Sequence, residues 1–447
     1  MVFSSTTFLF YFLPLVILLY LISPKKLKNF ELFIFSLFFY AWGEPIYVLL
    51  MLFSTVSDYF HGLFIYKLDD GNEKNKKKRK ILLISSIVIN LLILGFFKYS
   101  DFLIDTINGI FNTGIPNLHL PLPIGISFYT FQTMSYSIDI YMRKAKPQKN
   151  IIDFGLFVTM FPQLIAGPIV KYNEISEELT ERKPEINEGV EKFILGLAKK
   201  VLLANNIGLL SSTLIANGNS YFATWIGVIA YAFQIYFDFC GYSDMATGLG
   251  LIFGFHFPIN FNYPYISKNI TEFWRRWHIS MGTWFREYVY IPLGGNRKGY
   301  KRQIINIAIV WLLTGIWHGA AWNFIIWGVY FGAILLIEKV LLKGKVNSHI
   351  YSIFMILIGW AIFMDESGTF TILKSMFINT QIIDSFSLFE VLNNIVLIVL
   401  CCLFSTPLMN KIYNKIKYKG IILMALFIMS IAFLVSSSYN PFLYFRF

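Results

Sequence analysis

Charge is scarce in this chain, acid above all, and cysteine is nearly absent. Of 447 residues only 14% are charged, against 56% hydrophobic and 18% aromatic. A soluble globule, secreted or nucleic-acid-binding, is excluded by that balance, and repeated long apolar runs read as a polytopic membrane protein. The three cysteines, Cys240, Cys401 and Cys402, lie in apolar sequence without metal-ligand spacing, so neither a disulfide framework nor a zinc site is implied and packing is their expected role. Acids number 26 against 38 Lys and Arg, giving +12. The basic residues sit in short loops beside apolar segments, where they act as topology determinants rather than as a polyanion surface. Hydrolase and nucleotide signatures are missing too. Gly241-Tyr242-Ser243-Asp244-Met245 lacks the second glycine of a nucleophile elbow, and there is no Walker loop and no His-Glu-x-x-His pair. Gly248, Gly250 and Gly254 miss the dinucleotide spacing and read as close helix packing.

What is present is a succession of spans. The first, residues 7–22, is followed by Lys25, Lys26 and Lys28, the wrong polarity for a cleaved signal peptide, and is expected to be retained with the N-terminus outside. The next apolar region breaks at Gly43-Glu44-Pro45, because proline ends one helix and readily starts another. A hairpin there returns the chain, placing the Lys25 cluster and the run Lys74 to Lys80 together in the cytoplasm. Further apolar segments cover about 81–98, 124–141, 151–170, 190–216, 221–255, 303–319, 321–342, 349–366, 388–408 and 420–438, with basic clusters 141–149, 171–200, 268–302, 343–345 and 411–419 all assignable to the cytoplasm. The C-terminal tail is then outside as well. The reading is all-α, roughly 11 transmembrane segments, in a single membrane domain over 1–447.

Several segments are poor lipid-facing helices. Pro162, Gln163, Gly167 and Pro168 interrupt one apolar run, which favours a re-entrant or broken element, with an ordinary kinked span as the alternative. Gln234, Asp238, Ser243 and Asp244 lie within another, either lining a cavity or bonding neighbouring helices. Between Thr271 and Tyr288, the residues Trp274, Trp277, His278, Met281, Trp284, Phe285 and Tyr288 fall on one helical stripe, with Arg275, Arg276, Thr283, Arg286 and Glu287 opposite. One amphipathic helix at the membrane surface is expected, capped by Asn269 with Glu272.

Two histidines stand out. His278 is on the apolar face of that stripe, and His318 lies deep inside WLLTGIWHGAAWN. If 268–302 and 343–345 share a side, the chain crosses twice and turns near His318-Gly319, about 20 Å along the helix from the basic loop. A titratable side chain there is a site candidate by default. Burial keeps an unpaired imidazole neutral and able to take a proton from a hydroxyl, which suits His318 as a general base; the alternative for either histidine is a helix-helix hydrogen bond. His61, His119, His256 and His349 lie near segment ends and read as structural.

The stretch ITEFWRRWHISMGTWFREYVYIPLGGNRKG, followed about 40 residues after His278 by GIWHGAAWNFIIWG, resembles the membrane-bound O-acyltransferase family. PIGISFYTFQTMSYSIDIY, FPQLIAGPIVKY and FQIYFDFCGYSDMATGLGLIFGFHFPINFN resemble its alginate O-acetyltransferase branch, so that the likeness covers about 121–335. The resemblance implies a ring of helices around a central tunnel, with His318 and His278 as catalytic residues. It further implies a cytoplasmic acetyl thioester donor, acetyl-CoA, with no bound cofactor, and an extracytoplasmic acetyltransferase partner that finishes O-acetylation of a cell-surface or exported polysaccharide. Arg275, Arg276, Arg297 and Lys298 are near enough to meet the donor's phosphates, though no donor-binding residue is assigned. The tail PFLYFRF resembles the branch's aromatic ends, suited to a partner or to the outer interface. D-alanyl transfer to teichoic acid within the same superfamily, and a polysaccharide transporter or flippase, remain the alternatives.

Overall fold

The computed structural model describes residues 1–165, 167–365, 368–436 and 439–441. Among them every regular element is helical, as expected where lipid offers the backbone no hydrogen-bond partner. Six helices are long and apolar enough to cross a membrane: Val48–Lys67, Glu73–Phe111, Ile186–Asn217, Tyr221–Phe253, Trp322–Val340 and Lys419–Ser436. The pair Ser385–Asn393 and Ile395–Phe404, bent by 60°, makes a seventh if taken as one span. Other apolar stretches among the described residues form shorter helices, such as Phe8–Ile22 and His349–Met364. The last tail residues, 442–447, and with them the aromatic end, lie outside the described residues. Where the sequence reads as one domain over 1–447, the contacts define two compact units, 1–193 with 245–258, and 194–244 with 259–447.

In the first unit the break at Gly43-Glu44-Pro45 separates Lys28–Ala41 from Val48–Lys67 as expected. The proline-rich run is broken as well. Ile151–Thr159 ends at Met160, Phe161–Leu164 forms a single buried turn, and the freed amide of Phe161 donates to Ser36 Oγ at 3.1 Å. Gly248 lies so close to the backbone of Gly189 that a Cβ would sit 2.6 Å from its carbonyl oxygen, which bears out close helix packing. Three of the minor histidines have structural partners: His61 bonds Ser57 and Ser85, and His256 lies between Glu178 and Glu185, while His349, in the second unit, meets the Ser267 carbonyl.

The second unit is built on a helical hairpin, Tyr300–His318 and Trp322–Val340, turning through extended Gly319 and Ala321. Glycines let its helices touch. A Cβ on Gly315 would meet the Phe324 carbonyl oxygen at 2.6 Å, and one on Gly328 the Trp311 carbonyl oxygen at 2.5 Å, the close approach that small residues allow between membrane helices.

Within the same unit the acids of Tyr221–Phe253 are ion-paired. Asp238 meets Lys200 at 2.6 Å and Asp244 meets Lys199 at 2.6 Å. Both lysines fall in a π-helical stretch, Lys199–Ala204, and they pair with acids of the next helix, Lys200 with buried Asp238 and Lys199 with half-buried Asp244. Helix-to-helix bonding is thus what Asp238 and Asp244 do. Lys200 also meets the carbonyl oxygen of Pro441, and Asn205 Nδ2 donates to Asn440 Oδ1, which ties the chain's described end to this ion pair. Removing one partner of a buried pair costs about 3–5 kcal/mol, whereas replacing both with apolar groups is near neutral. Thermal unfolding in detergent is therefore expected to show Lys200→Met and Asp238→Leu each strongly destabilised and the double variant largely restored; additive losses would contradict the pairing.

Candidate active site

The amphipathic stripe forms, but not as one helix. Ile270–Arg276 stops at extended Trp277, His278 takes a left-handed backbone (φ 46°, ψ 53°), and Ile279–Phe285 begins anew before the π-helical turn Arg286–Tyr290. The cause lies in the segment 260–262. Its Asn262 amide donates to the Arg276 carbonyl at 2.9 Å, and the Ile279 amide donates to the Asn260 carbonyl at 2.9 Å. The helix therefore loses its continuation to a neighbouring backbone. A left-handed non-glycine residue costs about 1–2 kcal/mol and persists only where surroundings enforce it.

The cap is as expected in part: Asn269 accepts from the Glu272 amide at 2.7 Å. The Glu272 carboxylate turns instead to the Lys268 amide and to Arg276, and the Lys268 bond, helped by Arg276, holds its pKa below the usual carboxylate range despite partial burial. Sequence inspection missed a second cap. Glu338, buried, accepts from the amides of Ile270 and Thr271 and from the Thr271 hydroxyl, so a carboxylate at the end of Trp322–Val340 holds the start of the helix that leads to His278. A lone acid closing an otherwise apolar span was the available signal.

His278 and His318 are brought to one place. Both line a cavity of about 20 Å³, closed by Ile235, Phe239, Trp277 and Trp327 among others. That is room for about one water. The rings of Trp317 and His318 lie 5.0 Å apart and those of Trp317 and His278 6.0 Å, so one indole contacts both imidazoles. Trp327 and Phe363 stand edge-on to His318 at 4.9 and 5.4 Å. His278 is therefore not remote from His318: the bonds of Asn262 and Asn260 break the helix and leave His278 only 1% exposed, on the same cavity.

His278 Nδ1 is 3.1 Å from Asn260 Oδ1, and its Nε2 is buried without a hydrogen-bond partner. Burial drives its pKa well below the usual imidazole range, so the ring is neutral. No cluster of metal-binding side chains occurs among the described residues.

The four basic residues weighed for donor contact separate. Arg276 is held by Glu272 and the Asn262 carbonyl. Arg297 and Lys298 instead line a larger pocket, about 460 Å³, together with Arg286, Lys339 and the Gly294-Gly295 turn. Arg275 lines neither cavity.

A family model described as the membrane-bound O-acyltransferase family matches residues 142–365, half of the chain and both histidines. The chain belongs to the membrane-bound O-acyltransferase family. It is thus a multi-pass membrane enzyme that transfers acyl groups to oxygen. Among relatives, "Probable alginate O-acetylase AlgI" of Pseudomonas syringae pv. tomato is 42% identical, over 82% of this chain and 73% of its own. A "Peptidoglycan O-acetyltransferase" of Helicobacter pylori is 38% identical over 76% and 70%. A "Teichoic acid D-alanyltransferase" of Bacillus subtilis is 30% identical over 47% and 58%.

Glu338→Leu leaves three donors without their acceptor, each worth about 1–3 kcal/mol. The expected result is a lower unfolding temperature together with weaker acyl transfer, whereas His318→Ala is expected to leave unfolding near wild type. A Glu338→Leu protein as stable as wild type would contradict the capping role.

Proposed function

We propose that this O-acyltransferase takes an acetyl group from a cytoplasmic thioester, acetyl-CoA, and passes it through the membrane for O-acetylation of a cell-surface or exported polysaccharide. The observation that carries the reading is the pair of buried histidines on one water-poor cavity, in a chain whose relatives over most of its length are named O-acetylating enzymes. The acceptor's hydroxyl oxygen bonds to the acetyl carbonyl carbon while an imidazole takes the hydroxyl proton. The C–S bond then breaks and the thiolate leaves, reclaiming that proton. Holding both reactants in place and excluding water supplies the rest of the acceleration.

The donor's phosphates have a matching surface in Arg286, Arg297, Lys298 and Lys339, four cations lining one pocket. Lys339 of that pocket and Trp327 of the histidine cavity are twelve residues apart on one helix, about 18 Å, a span that suits an extended pantetheine arm. A separate extracytoplasmic acetyltransferase acts as the next carrier, and both chain termini lie on its side of the membrane, in keeping with the placement of basic clusters. D-alanyl transfer has the weaker support, since the relatives so named align with only about half of this chain. The transporter reading rests on broken helices and intramembrane acids, and of these the acids Asp238 and Asp244 are engaged by lysines.

Radiolabelled acetyl-CoA supplied to membranes tests this directly. Label is expected in the exported polymer with wild type and to fall at least about 100-fold with His318→Ala, with membrane insertion unchanged. Transfer at the wild-type rate in that variant would sink the assignment.

A further inference from the structure

We propose that Asn260 is a positioning residue that fixes His278 as the Nδ1–H tautomer, leaving Nε2 as the proton acceptor of the cavity. The inference rests on the acyl-transfer reading above for its chemistry, but its geometry stands alone. Asn260 Oδ1 lies 3.3 Å from the backbone amide of Ser280 and 2.9 Å from its hydroxyl, while Asn260 Nδ2 donates to Ser243 Oγ at 3.0 Å. A backbone amide can only donate, so the atom facing it is the amide oxygen and not the nitrogen. The same oxygen faces His278 Nδ1 at 3.1 Å. An oxygen that can only accept requires Nδ1 to carry the hydrogen, and a neutral imidazole then presents a lone pair at Nε2.

Nε2 is the ring's unpartnered atom, on a side chain 1% exposed that lines the cavity. Trp327, lining the same cavity, has a buried Nε1–H without a hydrogen-bond partner. An orphaned acceptor and an orphaned donor on one small cavity suit a hydroxyl, which can give a hydrogen to Nε2 and accept one from the indole. The proton taken from the acceptor's hydroxyl therefore moves to His278 Nε2 as the new C–O bond forms, and returns to the departing thiolate. Asn260 also pays part of the strain of the left-handed His278 backbone, because its own carbonyl receives the next amide, that of Ile279. Phe239, Phe261 and Trp317 pack on the His278 ring. His318 is the other titratable side chain on the cavity, and no carboxylate or lysine lines it among the described residues.

Two measurements test this on the full-length protein in liposomes. Solid-state nitrogen NMR of histidine-labelled protein, with His278 assigned by difference from His278→Ala, is expected to show a protonated Nδ1 and a bare Nε2; a protonated Nε2 overturns the proposal whether or not transfer is seen. In acetyl transfer from acetyl-CoA, Asn260→Leu is expected to lose about 100-fold in maximal rate with KM for the donor within about twofold. Asn260→Asp keeps the accepting oxygen but adds charge that favours imidazolium, so it retains transfer with the acid limb of its pH profile moved up by about one unit or more. Wild-type rates in Asn260→Leu, or an Asn260→Asp protein as slow as Asn260→Leu with an unmoved acid limb, overturn it. Absence of transfer by the wild type would instead count against the acetyl-CoA reading, leaving the tautomer to the spectrum.

Discussion

In a membrane-embedded chain, each buried polar atom must find its partner within the protein, since lipid supplies none. The second unit meets that demand almost everywhere it places charge. Lys199 and Lys200 answer Asp244 and Asp238, and Glu338 answers the open start of Ile270–Arg276. Among the buried atoms left without a partner, His278 Nε2 and the Trp327 Nε1–H stand apart because they sit on residues that line one cavity. Polar groups elsewhere in the unit hold elements together, while the cavity that both histidines line carries an unpaired acceptor, His278 Nε2, and two unpaired donors, the indole N–H groups of Trp327 and Trp360.

Each part of the site is held from a different stretch of chain. The glycine-packed hairpin sets the depth and direction of His318 at the end of its helix. Asn260, reached only after the long helix Tyr221–Phe253, interrupts the aromatic stripe and turns His278 toward the hairpin. Glu338 pins the start of that stripe from the far end of the hairpin. Aromatic rings fill what remains and leave room for about one water, too little for a substrate to enter without movement of the cavity's walls.

Much of this was legible in residue types. Apolar runs gave the helical class, Gly43-Glu44-Pro45 and the Pro162 to Pro168 run gave two breaks, and positive clusters around His318 required the hairpin that is found. The number of full-length spans was not legible, because hydropathy reads a short buried helix and a crossing alike. Nor was the break at Trp277-His278: the stripe's periodicity is genuine, but which backbone takes over the hydrogen bonds of Arg276 and Ile279 depends on a segment some eighteen residues earlier. For the same reason neither helix taken singly shows that His278 and His318 line one cavity. Lys199 and Lys200 close a basic stretch that reads as cytoplasmic, yet the next apolar segment holds the two acids, Asp238 and Asp244, with which they pair.

The central claim is that His278 and His318 work as one centre. Initial rates of label transfer from acetyl-CoA to the exported polymer in membranes carrying His278→Ala, His318→Ala or the double variant test it most directly. Groups that act as a unit lose their effect together, so the double variant is predicted to be no slower than the slower single variant. Losses that multiply would contradict the account and return the histidines to separate steps of the route.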